Sequence, residues 1–127
     1  MKYLTDVNLL LALAYGNQHG HDKALLWYAS HMTSQGHTCS IVEIGFLRVS
    51  VQAKLQPSVA DAQVVLAALK ESAGFTLLQD DVGADEMPDY VKTTAEITDG
   101  HLVALAQRHG AQIATFDKGI PGALLVS

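Results

Sequence analysis

Lys2-Tyr3-Leu4-Thr5-Asp6-Val7-Asn8-Leu9-Leu10 is the stretch whose reading decides the fold. Lys2 to Thr5 reads as a short strand. The period then changes, because Val7, Leu10, Leu11 and Ala14 recur at i, i+3, i+4 and i+7, the spacing of one helix face. A strand that hands over to a helix through one aspartate is the start of a β–α unit, and the remainder of the chain repeats that alternation. Leu25, Tyr28, Ala29 and Met32 form a second helical stripe, which Gly36 can end in the left-handed conformation. Thr38 and Cys39 form a short second strand, and Ser40 opens a third helix running to about Ala53. Pro57 stops the chain and Ser58 caps a fourth helix with the stripe Ala62, Val65, Leu66 and Leu69, closed by Gly74. Phe75 to Leu78 is a third strand. A helix starting at Thr98-Asp99 carries Leu102, Leu105, Ala106 and His109 on one face and ends at Gly110. Gln112 to Phe116 is a fourth strand ending at Asp117, and Leu124 to Val126 is a short edge strand. Strands alternating with helices predict an α/β fold in one domain over residues 1–127, with a central, mostly parallel sheet of four to five strands flanked by helices.

The composition narrows the class. With 127 residues, 49% of them hydrophobic, the chain can build a core without covalent staples. A single cysteine, Cys39, cannot form an internal disulfide and reads as a small buried hydrophobe in a reducing compartment. The apolar run Leu9 to Ala14 is far shorter than the ~20 residues a membrane span needs, and Met1 to Asp6 lacks the features of a signal peptide. The expectation is a soluble cytoplasmic protein with no membrane partner. Eight basic against 13 acidic residues give a net charge of −5, which argues against a broad nucleic-acid-binding surface. Chemistry on phosphates would need help from cations.

Four acids are placed where such help is useful. In open α/β sheets, ligands bind beyond the carboxyl ends of the strands. Asp6 ends the first strand, Asp117 ends the fourth, and Glu43 lies in the first turn of the helix after the second strand, so these three can converge on one edge. Asp99 precedes its strand by a whole helix, and on this reading topology alone does not bring it there. Clustered carboxylates repel, and a hard cation such as Mg²⁺ or Mn²⁺ relieves that repulsion while activating water for hydrolysis. Each acid also has a local role open to it. Asp6 and Asp99 can cap helices, Glu43 can form a capping box with Ser40, and Asp117 can form a turn before Lys118-Gly119.

Leu4-Thr5-Asp6-Val7-Asn8-Leu9-Leu10 resembles the opening of PIN-domain nucleases. Thr98-Asp99-Gly100-His101-Leu102-Val103-Ala104-Leu105-Ala106 resembles their third acidic motif, and Ile113-Ala114-Thr115-Phe116-Asp117 their final strand and fourth acid. Glu43 with Gly45-Phe46-Leu47-Arg48 is similar to the internal glutamate helix, and His21, Ala24 and Trp27 to the second helix of the VapC-type toxins. The ordered set spans essentially the whole chain. Gly100 departs from it, since such toxins often carry a side chain there, and glycine costs a helix interior ~1 kcal/mol against alanine.

The resemblance implies a three-layer PIN fold and an RNA substrate cut to leave a 5′-phosphate and a 3′-hydroxyl. It also implies an antitoxin partner, a homodimer, and a site in which Asp99 joins Asp6, Glu43 and Asp117 as catalytic and metal-binding residues. Under that reading Asp6 and Asp99 hold Mg²⁺ or Mn²⁺ directly, while Asp117 and Glu43 bind a second ion or orient water. Asn8 is a candidate hydrogen-bond partner of Asp6 or Asp117, and Lys118 a candidate RNA contact. His19, His21, His101 and the acidic run Asp80 to Asp89 are read as loop, helix-surface and solvated groups. Trp27 is read as core or dimer interface. Two rivals stand beside the nuclease: a haloacid-dehalogenase-like phosphatase, which would want an aspartate where Asn8 stands, and a non-catalytic PIN-like module that binds RNA or protein.

Overall fold

The computed structural model describes residues 1–31 and 36–127. Five strands form one sheet: β1 (Lys2–Thr5), β2 (Gly36–Thr38), β3 (Thr76–Leu77), β4 (Ala111–Thr115) and β5 (Leu124–Leu125). Their order is β3-β2-β1-β4-β5 and every neighbouring pair is parallel. The helices are α1 (Val7–Ala14), α2 (His21–His31), α3 (Ser40–Gln52), α4 (Val59–Ala73) and α5 (Ile97–Arg108). The α/β expectation is met, and the sheet is fully rather than mostly parallel.

β1 is central, with β2 on one side and β4 on the other. The register pairs Thr5 with Ala114, so Asp6 follows β1 directly beside the end of β4. A parallel sheet is buried on both faces, and Leu4, Thr5, Ala114 and Thr115 are all 0% exposed. Helix α1 touches α2, α3, α4 and β4. That enclosure buries Leu9 through Leu13 in an unbroken run, whereas Val7 and Ala14 of the expected stripe are only half-buried. A helix covered on most sides loses its one-face periodicity.

Other expectations shift by small amounts. In α2 the inward residues are Ala24, Trp27 and, half-buried, Tyr28, while Leu25 and Ala29 face out; Met32 lies outside the described residues. Trp27 belongs to the core, with its ring centroid 5.6 Å from that of Tyr3 in an edge-to-face pair. Gly36 is the first residue of β2, not a helix cap. Ser58 does cap α4, accepting from the Asp61 amide at 3.1 Å, and Gly74 ends that helix at φ +73°. Cys39 is buried and unpaired. No described helix is long and apolar enough to cross a membrane.

Candidate active site

The site grows from the place where the strand order reverses. Chain direction carries β1 to one neighbour, β2, and the later β4 to the other, so the carboxyl ends of β1 and β4 flank a topological switch point. This is the crevice where open α/β sheets bind ligands. Asp6 and Asp117 lie on its two sides. The first residue after β1, Asp6, is 8% exposed. Its Oδ1 accepts the Leu9 amide at 2.9 Å, capping α1, and its Oδ2 accepts the buried Thr115 hydroxyl. Thr115 Oγ1 in turn accepts the Asp117 amide at 2.9 Å. One hydroxyl at the end of β4 therefore ties the two acids to a common frame.

Asp117 is exposed, and its Oδ1 accepts the Gly119 amide at 2.7 Å, so the turn role and the edge position hold together. Asp99 sits in the first turn of α5, which begins at Ile97 with Glu96 as its N-cap residue, so Asp99 is not the cap. Burial raises the Asp6 carboxyl above the ordinary carboxylate range. The Thr115 and Leu9 hydrogen bonds oppose that shift, and the charges of Asp99 and Asp117 add to it. The Asp99 carboxyl is raised by burial first and by Asp117 next. These three acids feel one another's charge. Among the described residues no three His, Cys, Asp or Glu side chains draw together tightly enough to cage an ion. The donor chemistry nonetheless fits a hard divalent cation: oxygen ligands only, two of them raised by burial first and by their neighbours' charge next.

Glu43 stands apart. Its Oε2 is 2.7 Å from Lys70 Nζ on α4 and accepts the Thr38 hydroxyl. The capping box with Ser40 is not formed: Cys39 is the N-cap residue of α3 and Ser40 lies inside the helix. Asn8 is exposed and makes no side-chain hydrogen bond among the described residues, so it is not a direct partner of Asp6 or Asp117. His21 Nδ1 lies 2.7 Å from the Ala12 carbonyl, a structural tie between α2 and α1.

The acidic run after β3 is not a free solvated face. His101 reaches Asp80 at 3.0 Å, His109 reaches Asp81 at 3.1 Å, and Arg108 pairs with Glu86, lacing the loop to α5. Farther along, the loop lies against Gly100, where an added Cβ would fall 2.3 Å from Val91 Cγ2 and 2.9 Å from Met87 Sδ. The Tyr90 hydroxyl is buried without a partner among the described residues, and its pKa is raised by burial and by the nearby Asp99 and Glu96. Thr115 and Tyr90 were not singled out from the sequence. Thr115 leaves a signal there, as the one hydroxyl within the otherwise apolar run Ile113-Ala114-Thr115-Phe116 leading to Asp117. Tyr90 leaves none, because it lies in an irregular segment.

Comparison with known proteins agrees with this architecture. A model of the PIN-domain family matches residues 3–122. Ribonuclease VapC38 of Mycobacterium tuberculosis (strain ATCC 25618 / H37Rv) is 39% identical over 122 residues, covering 92% of this chain and 86% of the relative. Ribonuclease VapC39 of Mycobacterium tuberculosis (strain CDC 1551 / Oshkosh) is 36% identical over 129 residues, covering 94% and 91%. The crystal structure of VapC20 from Mycobacterium tuberculosis, a sarcin-ricin loop cleaving toxin, shares the fold at a TM-score of 0.71 and 14% identity, over 99% of this chain and 100% of that one. Continuous matches over nearly the full length, with the acids falling at one edge of the shared sheet, make this chain a member of the PIN-domain family and, within it, of the VapC ribonucleases.

Proposed function

We propose that this protein is a metal-dependent endoribonuclease that acts as the toxin of a toxin–antitoxin pair, with Asp6, Asp99 and Asp117 at its centre and Glu43 in a supporting place. The reading rests on Asp6, Asp99 and Asp117 lying near enough, about the β1/β4 edge, to feel one another's charge, with Asp6 and Asp99 raised above the ordinary range first by burial. Membership of the VapC family makes RNA the substrate class and sets aside the phosphatase reading.

Asp6 and Asp99 would hold Mg²⁺ or Mn²⁺, with Asp117 completing the set. When bound, the ion supplies Lewis acidity that activates water and offsets charge on the phosphodiester. The chain's own residues do the positioning. Leu9 N–H and Thr115 O–H engage one oxygen each of Asp6 and fix its rotamer. Thr115 also holds the backbone at Asp117. Lys70 holds Glu43 turned to α4, so Glu43 joins the site only by exchanging that partner. Hydrolysis leaves a 5′-phosphate and a 3′-hydroxyl.

An antitoxin chain presenting a basic side chain would complement the acids and block them. The homodimer remains part of this reading, and light scattering after size-exclusion chromatography checks it, a strict monomer counting against it. The central experiment replaces Asp6→Asn and Asp99→Asn singly. Both folded variants should lose RNA cleavage in Mg²⁺ or Mn²⁺ by more than the roughly 10- to 100-fold that follows loss of a mere hydrogen-bond partner of a metal ligand. Full activity in both would sink the assignment. A wild-type protein that binds RNA but never cleaves it would leave a binding module.

A further inference from the structure

Next to the acidic edge lies a cavity of about 510 Å³, lined among others by Asn8, Gln18, His19, Lys23, Phe116 and Lys118. Its walls come from α1, the α1–α2 loop, the start of α2, the two residues that flank Asp117, and the segment Leu125 to Ser127. Three features single it out. No Asp or Glu lines it, although the chain carries a net charge of −5. Lys23 and Lys118 enter no ion pair among the described residues; Lys2, Arg48, Lys54 and Lys92 share that trait, but here two such lysines line one cavity. Phe116 is half-buried, and the loop closes against its ring at Gly20, whose φ is +83° and where an added Cβ would lie 2.8 Å from Phe116 Cζ. The glycine is what lets the loop and the ring form one wall. The volume lies in the ordinary range for small-ligand sites, roughly 300–1,000 Å³.

We propose that this cavity holds one nucleotide of the RNA strand beside the scissile bond, with Lys23 and Lys118 on a backbone phosphate and Phe116 against the base. Asn8, Gln18 and His19 then supply the hydrogen-bonding groups that read the base edge. The inference rests on the nuclease reading and adds to it a substrate-positioning site that the acids alone do not provide. It offers an acidic protein a local grip on a polyanion: two lysines outside any ion pair among the described residues line one cavity beside the carboxylates.

The test uses the full chain and a fluorescein-labelled single-stranded oligoribonucleotide of mixed sequence. Binding is followed by anisotropy in the cleavage-deficient Asp99→Asn background, and cleavage kinetics in the otherwise wild-type chain. Each lysine removed from a phosphate contact should lower the slope of log affinity against log salt by about 0.7. Lys23→Ala with Lys118→Ala should thus lower it by about 1.4, while Lys54→Ala, outside the cavity, leaves it unchanged. Phe116→Leu should weaken binding roughly 5- to 150-fold, the range of a lost base–aromatic contact, without altering the salt slope. In cleavage, all three changes should raise KM far more than they lower kcat. If the wild-type chain cleaves RNA but these variants keep both affinity and slope, the subsite is overturned and the nuclease reading survives. If they keep RNA binding and lose antitoxin binding instead, the cavity is a protein contact and the proposal falls. If the wild-type chain neither binds nor cleaves RNA, both fall together.

Discussion

Gly100→Ala sets two forces against each other at one atom. Glycine in the interior of a helix costs about 1 kcal/mol relative to alanine, so propensity alone predicts that the substitution stabilises α5. Packing predicts the reverse. Gly100 is buried, and the new Cβ would sit 2.3 Å from Val91 Cγ2 and 2.9 Å from Met87 Sδ. An ordinary carbon–carbon contact is about 3.5–4.0 Å, so Val91 must retreat by about 1.2 Å or more. Overpacking of this kind costs about 1–3 kcal/mol. Subtracting the propensity gain leaves a net loss of about 0–2 kcal/mol, and the central value of about 1 kcal/mol corresponds to a fall of about 4 °C in Tm for a chain of this size. Thermal and urea unfolding followed by circular dichroism measure it. Val91→Ala removes the colliding methyls, so in the Gly100→Ala background it should recover stability, giving a favourable coupling of about 1 kcal/mol in a double-mutant cycle. A Gly100→Ala protein more stable than wild type would refute the close approach of the 87–91 segment to α5.

Other perturbations probe the acids and their supports. Thr115→Val keeps shape but strips Asp6 and the Asp117 amide of a buried partner; it should cost about 1–3 kcal/mol in urea unfolding and lower cleavage as well. The raised carboxyls of Asp6 and Asp99 bind protons more tightly folded than unfolded. Their contribution to stability is therefore present in full below the ordinary value of 3.8 and is lost as pH rises through the raised folded value. In chelator-treated protein, the Tm of wild type relative to Asp6→Asn should fall over the range above about pH 4 in which the raised carboxyl ionises; a flat difference would contradict the shift. Added Mg²⁺ or Mn²⁺ should raise Tm more at the upper end of that range, because a metal competes with protons for the carboxylates. Lys70→Ala breaks a partly exposed ion pair with Glu43 and should cost less than about 1 kcal/mol in urea unfolding. Glu43→Gln should reduce cleavage at least about tenfold less than Asp99→Asn, since Glu43 is engaged by Lys70 and Thr38.

What the sequence revealed followed from local signals of the right length. The step from the β1 strand pattern to the α1 pattern at Asp6, the Ser58 cap and the Gly74 stop all rest on contacts within a few residues, and they appear where expected. The stripe in α2 was off by one position because Trp27, not Leu25, finds Tyr3 across the sheet, a partner 24 residues away that no window contains. Ser40, three residues before Glu43, offers it a capping box as a local alternative to a place in the site. Lys70, 27 residues on, takes the carboxylate instead. The acidic loop likewise gave no hint that His101, Arg108 and His109, a helix away, would lace it down. Asp99 is different, since general topology does place it. A helix that returns the chain to the start of a parallel strand runs against the sheet, so the N-terminal end of α5 must lie at the carboxyl edge of β4. The position of Asp99 follows from chain direction through the fold, not from its distance to β4 along the chain.

At Asp6, a helix cap and a place in an acid cluster are compatible roles for one carboxylate. The two oxygens divide the work: Oδ1 takes the Leu9 amide and Oδ2 the Thr115 hydroxyl. A carboxylate has about four lone-pair sites, so two are left after both bonds are made. The cap fixes the side chain at the end of β1, the Thr115 hydroxyl fixes it toward β4, and acceptor capacity remains on a carboxylate that also feels the charge of Asp99 and Asp117. Capping is thus what holds a buried, repelled carboxylate in place in the metal-free protein. Replacing Asp6 by Asn retains the cap and removes the repulsion, so loss of cleavage in a variant at least as stable as wild type would separate the two roles. A variant that lost stability and activity in step would join them again.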